Sequence, residues 1–166
     1  MDARGGGVLT NGKGLSAKGK DFAPPGQLNV RAYIMSWDIF VQDMPIDAAT
    51  VDEIPATFVP AAIGSRSNII AKIKEVIPFA NFSDPAWGTI DGDGFSIDVN
   101  LGADETVDSF AFHVRGDALA AGLVSEILTR LQLRAFDSGT GDIFDHANAA
   151  AGLQLWHAYA KQVLNR

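Results

Sequence analysis

The stretch WGTIDGDGFSIDVNLGADETVDSFAFHVR, residues 87–115, decides the fold. In it Phe95, Ile97, Val99 and Leu101 alternate with Ser96, Asp98 and Asn100. A period of two marks a strand with one face on a core and the other toward water. Phe110, Phe112 and Val114 repeat the pattern against Ser109, Ala111 and His113. Asp91-Gly92-Asp93-Gly94 separates a strand over 87–90 from one over 95–101. Asp-Gly supplies the positive φ that a tight hairpin needs. Residues 102–106 form another turn before a strand over 107–115. Three successive strands with no helix between them predict an antiparallel sheet with helices gathered on one face.

The same region is electrically one-sided. From Glu75 to Val114 there is no Lys or Arg, and those forty residues hold Glu75, Asp84, Asp91, Asp93, Asp98, Asp104, Glu105 and Asp108. A sheet carrying that much uncompensated charge repels itself, which costs stability. A basic partner would be one reason to keep it.

Upstream, a strand is predicted over 30–43, with Tyr33, Met35, Trp37, Ile39 and Val41 on one face and Ser36, Asp38 and Gln42 on the other; Phe40 breaks the pattern. Met44-Pro45 stops it. Residues 45–63 are a Pro-punctuated connection with a short turn over 49–53. Ser65 offers an N-cap for a helix over 66–77 with Ile69, Ile70, Ile73, Val76 and Ile77 as its apolar stripe, and Pro78 ends it.

Downstream, Asp117 caps a helix over 118–132, with Leu119, Leu123, Val124, Ile127, Leu128 and Leu131 in the stripe. A strand over 133–137 turns at Ser138-Gly139-Thr140-Gly141 into a second over 142–144. The last helix covers 148–164, with Leu153, Trp156, Ala160, Val163 and Leu164 facing inward. The fold class is therefore α+β, with four to six mainly antiparallel strands, about three helices on one face, and the order β-α-β-β-β-α-β-(β)-α.

Length and composition bound the function. At 166 residues one domain is expected, here residues 30–166. Residues 1–29 read as a flexible, disordered leader: seven are Gly, and apolar residues are too sparse to offset the entropy of ordering. Met35 is an alternative translation start. The leader carries a net +2 and the remainder −9, so the body repels phosphate and no nucleic-acid partner is expected. No run is long and apolar enough to span a bilayer, and no secretory signal is visible, so no membrane is expected. The chain has no Cys, which excludes disulfides and thiolate chemistry and fits a cytoplasmic location.

Each chemical motif has a plain structural counterpart. Asp91-Gly92-Asp93-Gly94 followed by Asp98 invites calcium, but the Gly placement and the missing twelfth-position Glu do not fit an EF-hand, which leaves a hairpin turn. His113, Asp98 and Asp38 share the predicted solvent face. A carboxylate beside a His is raw material for acid–base catalysis. No nucleophile on a sharp turn and no Gly-rich oxyanion loop accompanies them. His146 and His157 lack metal-ligand spacing, so neither a metal nor a cofactor is expected. Gly139-Thr140-Gly141 lacks the Lys and the helix of a phosphate loop. By phase, Trp37 and Trp156 belong to the core, and Trp87 is expected to be partly exposed.

Residues 37–45 (Trp-Asp-Ile-Phe-Val-Gln-Asp-Met-Pro), 84–88 and 109–116 resemble segments of a group of small uncharacterised bacterial proteins. The run 133–141 is similar to a strand-turn of that group. Its Phe136-Asp137-Ser138-Gly139-Thr140-Gly141 also resembles the aromatic-Asp-x-x-Thr-Gly turns of polymorphic-toxin immunity proteins. The resemblance spans about residues 35–145, carries no catalytic residues, and implies an immunity-type binding protein.

The leading expectation is a non-catalytic protein, monomer or homodimer, that docks a basic protein through Asp91, Asp93, Asp98, Asp104, Glu105, Asp108 and Trp87. Two alternatives stay open. One is a small enzyme using His113 with Asp98 or Asp38. The other is a structural protein that self-associates through Phe40 and Trp87.

Overall fold

In β1 (Trp37–Gln42), Trp37, Ile39 and Val41 are buried while Asp38, Phe40 and Gln42 turn to the other side. That alternation organises the molecule, described by a computed structural model over residues 35–165. The remaining elements are β2 (Gly64–Ser65), α1 (Arg66–Val76), β3 (Trp87–Gly92), β4 (Phe95–Asn100), β5 (Thr106–Val107), β6 (Ser109–Arg115), α2 (Ala118–Leu131), β7 (Ala135–Asp137) and α3 (Ala149–Leu164). Five strands form one sheet in the order β3-β4-β6-β1-β7, and β2 pairs with β5 apart from it. Every pairing is antiparallel. The α+β class and the antiparallel sheet match the expectation. The leader and residues 30–34 of the first predicted strand lie outside the described residues.

The sheet's covered face presents Trp37, Ile39, Val41, Ile90, Phe95, Ile97, Val99, Phe110, Phe112, Val114 and Ala135. These join the helix residues Ile69, Ile73, Val124, Ile127, Leu128 and Leu153 in one core. Ser65 caps α1, its hydroxyl accepting from the Asn68 N–H at 3.2 Å. Asp117 caps α2, accepting from the Leu119 N–H at 3.0 Å. Both caps satisfy N–H groups that the first helical turn leaves without partners. The β3–β4 hairpin closes where Gly92 opposes Phe95, with Gly94 at φ +80°.

Four local expectations are corrected. The strand predicted over 107–115 breaks at Asp108, because Val107 pairs outward with Gly64 and its carbonyl accepts from the Ile63 N–H at 2.8 Å. The strand predicted over 142–144 reduces to isolated bridges, Thr50 to Asp142 and Phe136 to Ile143. In α2 the inward places near its start belong to Ala120 and Ala121, and Leu119 is exposed. In α3 packing covers Ala149, Leu153 and Ala160; Trp156 is half-buried, and Val163 and Leu164 are exposed.

Candidate functional site

The register brings the predicted site residues on the sheet together. Asp38, His113, Asp98 and Thr89 form one row across β1, β6, β4 and β3. The next row runs Phe136, Phe40, Ala111, Asn100 and Trp87. Side chains directly opposite or diagonal on one sheet face are in contact range. His113 Nδ1 and Asp38 Oδ1 are 2.8 Å apart. A carboxylate only accepts, so Nδ1 carries the proton and donates. The Ser36 hydroxyl donates to the same Asp38 oxygen.

Asp98 has a different partner. Arg115 donates to its Oδ2 at 2.9 Å, and both side chains are roughly four-fifths covered. His113 is therefore oriented by Asp38, not by Asp98. Above it lies Trp87: the two rings stack with centroids 5.5 Å apart and planes within 16°. Phe40 and Phe136 form a second stack, 5.7 Å and 19°. Trp87 is 41% exposed and Phe40 38%, so both stacks are open to solvent on one side. The expected partial exposure of Trp87 is what the structure has.

The acids do not form one surface. Asp91 and Asp93 sit at the hairpin end of β4, and Asp104, Glu105 and Asp108 follow its other end. Six strand residues at about 3.4 Å each separate the two groups by about 20 Å. That is about twice the Debye length at physiological ionic strength, so at the surface the groups act separately. Three of the eight acids are also neutralised by basic residues outside the segment: Glu75 by Arg130, Asp98 by Arg115 and Glu105 by Arg66. Glu105 is held below the usual carboxylate range, chiefly by the Ser67 hydroxyl at 2.6 Å, then by the Ser67 N–H and the Arg66 charge. Asp91, Asp93, Asp104 and Asp108 are exposed and have no ion pair among the described residues.

A second feature was not singled out from the sequence. A cleft of roughly 470 Å³ opens between the 137–145 loop, the start of β1 and α3. Trp37, Phe144, Trp156 and Tyr159 line it together with Asp38, Asp137, Asp142 and Asp145, and no Lys or Arg does. Asp137 accepts from Trp37 Nε1 at 2.6 Å and from the Gly139 N–H at 2.7 Å. Gly152 lets α3 approach: a Cβ there would stand 3.1 Å from Trp37 Cζ2. Asp145 accepts from the Asn148 side chain at 2.7 Å and the Ala147 N–H at 2.9 Å, and these bonds hold its carboxyl below the usual range. Backbone bonds from Val51 to Gly141, Ile143 to Ala49 and Ser138 to Asp38 fix the loop. The cleft's residues come from two stretches about a hundred positions apart, 36–38 and 137–159, so no local pattern in the sequence announces it.

His113 lines neither this cleft nor the smaller hollow at Met35, Arg115 and Trp156. Among the described residues no three His, Asp or Glu side chains converge as metal ligands would. None of the described helices is long and apolar enough to cross a membrane. No family model, curated protein or solved structure matches the chain.

Proposed function

We propose that this chain is a non-catalytic binding protein of the immunity type, docking a basic protein partner in the cytoplasm through the open face of its sheet. The observation that carries the reading is the pair of solvent-open aromatic stacks, Trp87–His113 and Phe40–Phe136, on neighbouring rows of that face. Aromatic side chains fixed on strands offer contact area with little entropy left to lose. Five strands about 4.8 Å apart and about 20 Å long present about 500 Å². A stable interface needs about 800 Å² per partner, so adjoining loops must take part. Those loops carry Asp93, Asp104 and Asp108, and Asp91 stands beside them at the end of β3. Their charge favours a basic partner and raises its association rate.

Pull-down from the native host at low and high salt tests this. A basic protein captured at low salt and released at high salt is expected. Capture of an acidic protein, or retention unchanged by salt, contradicts the electrostatic part.

One contact favours a second reading, a small enzyme: the His113–Asp38 bond, which orients the ring as a base would need. Turnover of a panel of p-nitrophenyl esters and phosphates, abolished by His113→Ala, would move the assignment to catalysis. Self-association through Phe40 and Trp87 predicts a dimer in light scattering at high concentration. A monomer there removes that reading.

A further inference from the structure

We propose that the cleft between the 137–145 loop and α3 binds a small organic ammonium ion with an apolar body. This site meets the open sheet face only at Asp38 and does not depend on the reading above. Four observations carry it. At roughly 470 Å³ the cleft falls in the range of small-molecule pockets, about 300–1,000 Å³, and well above the needs of one side chain. Its walls include Trp156 and Tyr159, accessible aromatic rings of the kind that attract a cation, over a floor of the buried Trp37 and Phe144. Asp38, Asp137, Asp142 and Asp145 surround them with no Lys or Arg in the lining; Asp38 meets His113, and the other three have no ion pair among the described residues. Asp137 and Asp145 are held in place by hydrogen bonds from Trp37, Gly139, Asn148 and Ala147, so two charges are oriented in advance.

A metal ion is a poorer match, since no three carboxylates converge among the described residues. An anion meets only repulsion. A neutral apolar molecule would use the rings and leave the four charges idle. A charged head beside the carboxylates with an apolar tail against Trp156 and the exposed Leu155 uses both parts of the lining.

The test uses the full chain carrying Trp87→Phe, which leaves Trp37 and Trp156, both in the cleft, as the fluorescent reporters. Phenethylammonium chloride, 2-phenylethanol and sodium phenylacetate are titrated in parallel, with N-acetyl-lysine amide standing in for a protein side chain. Saturable binding of phenethylammonium, at least tenfold tighter than each of the other three, is expected. Asp142→Asn should weaken it at least threefold, and Asp145→Asn, whose amide oxygen still accepts from the Ala147 N–H, should do the same. No binding by phenethylammonium, equal binding of the alcohol, or indifference to both Asn variants overturns the proposal. Binding of the lysine amide as tight as phenethylammonium overturns it in favour of a protein side chain.

Discussion

The two faces of the sheet are cut from the same strands and differ in every other residue. The covered face is apolar apart from Asp137 at its edge, and Ile39, Ile97, Val99, Phe112 and Val114 have no exposed surface. The open face carries Asp38, Asp98, His113 and Arg115 in matched pairs, with two aromatic stacks beside them. Apolar burial stabilises the first face. The second gains modestly from its partly covered ion pairs, yet it retains two large rings half in water. The charge anomaly of the sequence shrinks on the same comparison: on the face itself Arg115 offsets Asp98 and His113 donates to Asp38, and the exposed unpaired acids lie at the strand ends.

The largest expected contrast is in stability. Phe112→Ala should cost about 3–5 kcal/mol by urea unfolding, because it removes a fully buried ring. A loss below about 1 kcal/mol would mean that the covered face is not the core. Trp37→Phe shrinks a buried ring and deletes the donor to Asp137 Oδ2, leaving a partly buried oxygen without that bond; about 1–3 kcal/mol is expected. On the open face, Phe40→Ala should cost only about 1 kcal/mol, since the ring is more than a third exposed before the change. Asp98→Asn breaks the pair with Arg115 and should cost at most about 1 kcal/mol, less at high salt.

The smallest effect is on pH dependence. Asp145 and Glu105 have folded pKa values below their ordinary ones. Each contributes stability that is complete above its ordinary value and is lost as pH falls through the depressed one. Asp145→Ala should therefore flatten the acid side of a stability-versus-pH curve and leave its neutral side parallel to wild type. An unchanged acid side would show that the bonds to Asn148 and Ala147 contribute nothing to the acid dependence.

Much of this contrast was legible in the residues. Alternation in 37–42, broken only by Phe40, and in 95–100 and 109–115 placed the sheet and put Asp38, Asp98 and His113 on its solvent face; that they form one row needed the register. The partners of the acids were not legible. Arg66 and Arg130 reach Glu105 and Glu75 across 39 and 55 positions, a distance over which composition says nothing. Arg115 was closer to view: it shares the phase of His113 and ends the basic-free run, so its pairing with Asp98 follows once β4 and β6 are neighbours. Helix faces failed where packing was one-sided. Val163 and Leu164 have helical periodicity, but α2 covers a different part of α3. The cleft was hidden because Ser138-Gly139-Thr140-Gly141 reads as a plain turn until Asp137 and Asp142 on its flanks are seen against Trp156.

The most direct measurement compares pull-downs with wild type and with the Trp87→Ala/Phe40→Ala double variant, its fold verified by circular dichroism, at the same low salt. A binding role for the open face predicts that the partner captured by wild type is lost by the double variant, while variants of the cleft residue Asp142 still capture it. Equal capture by the double variant would contradict that role.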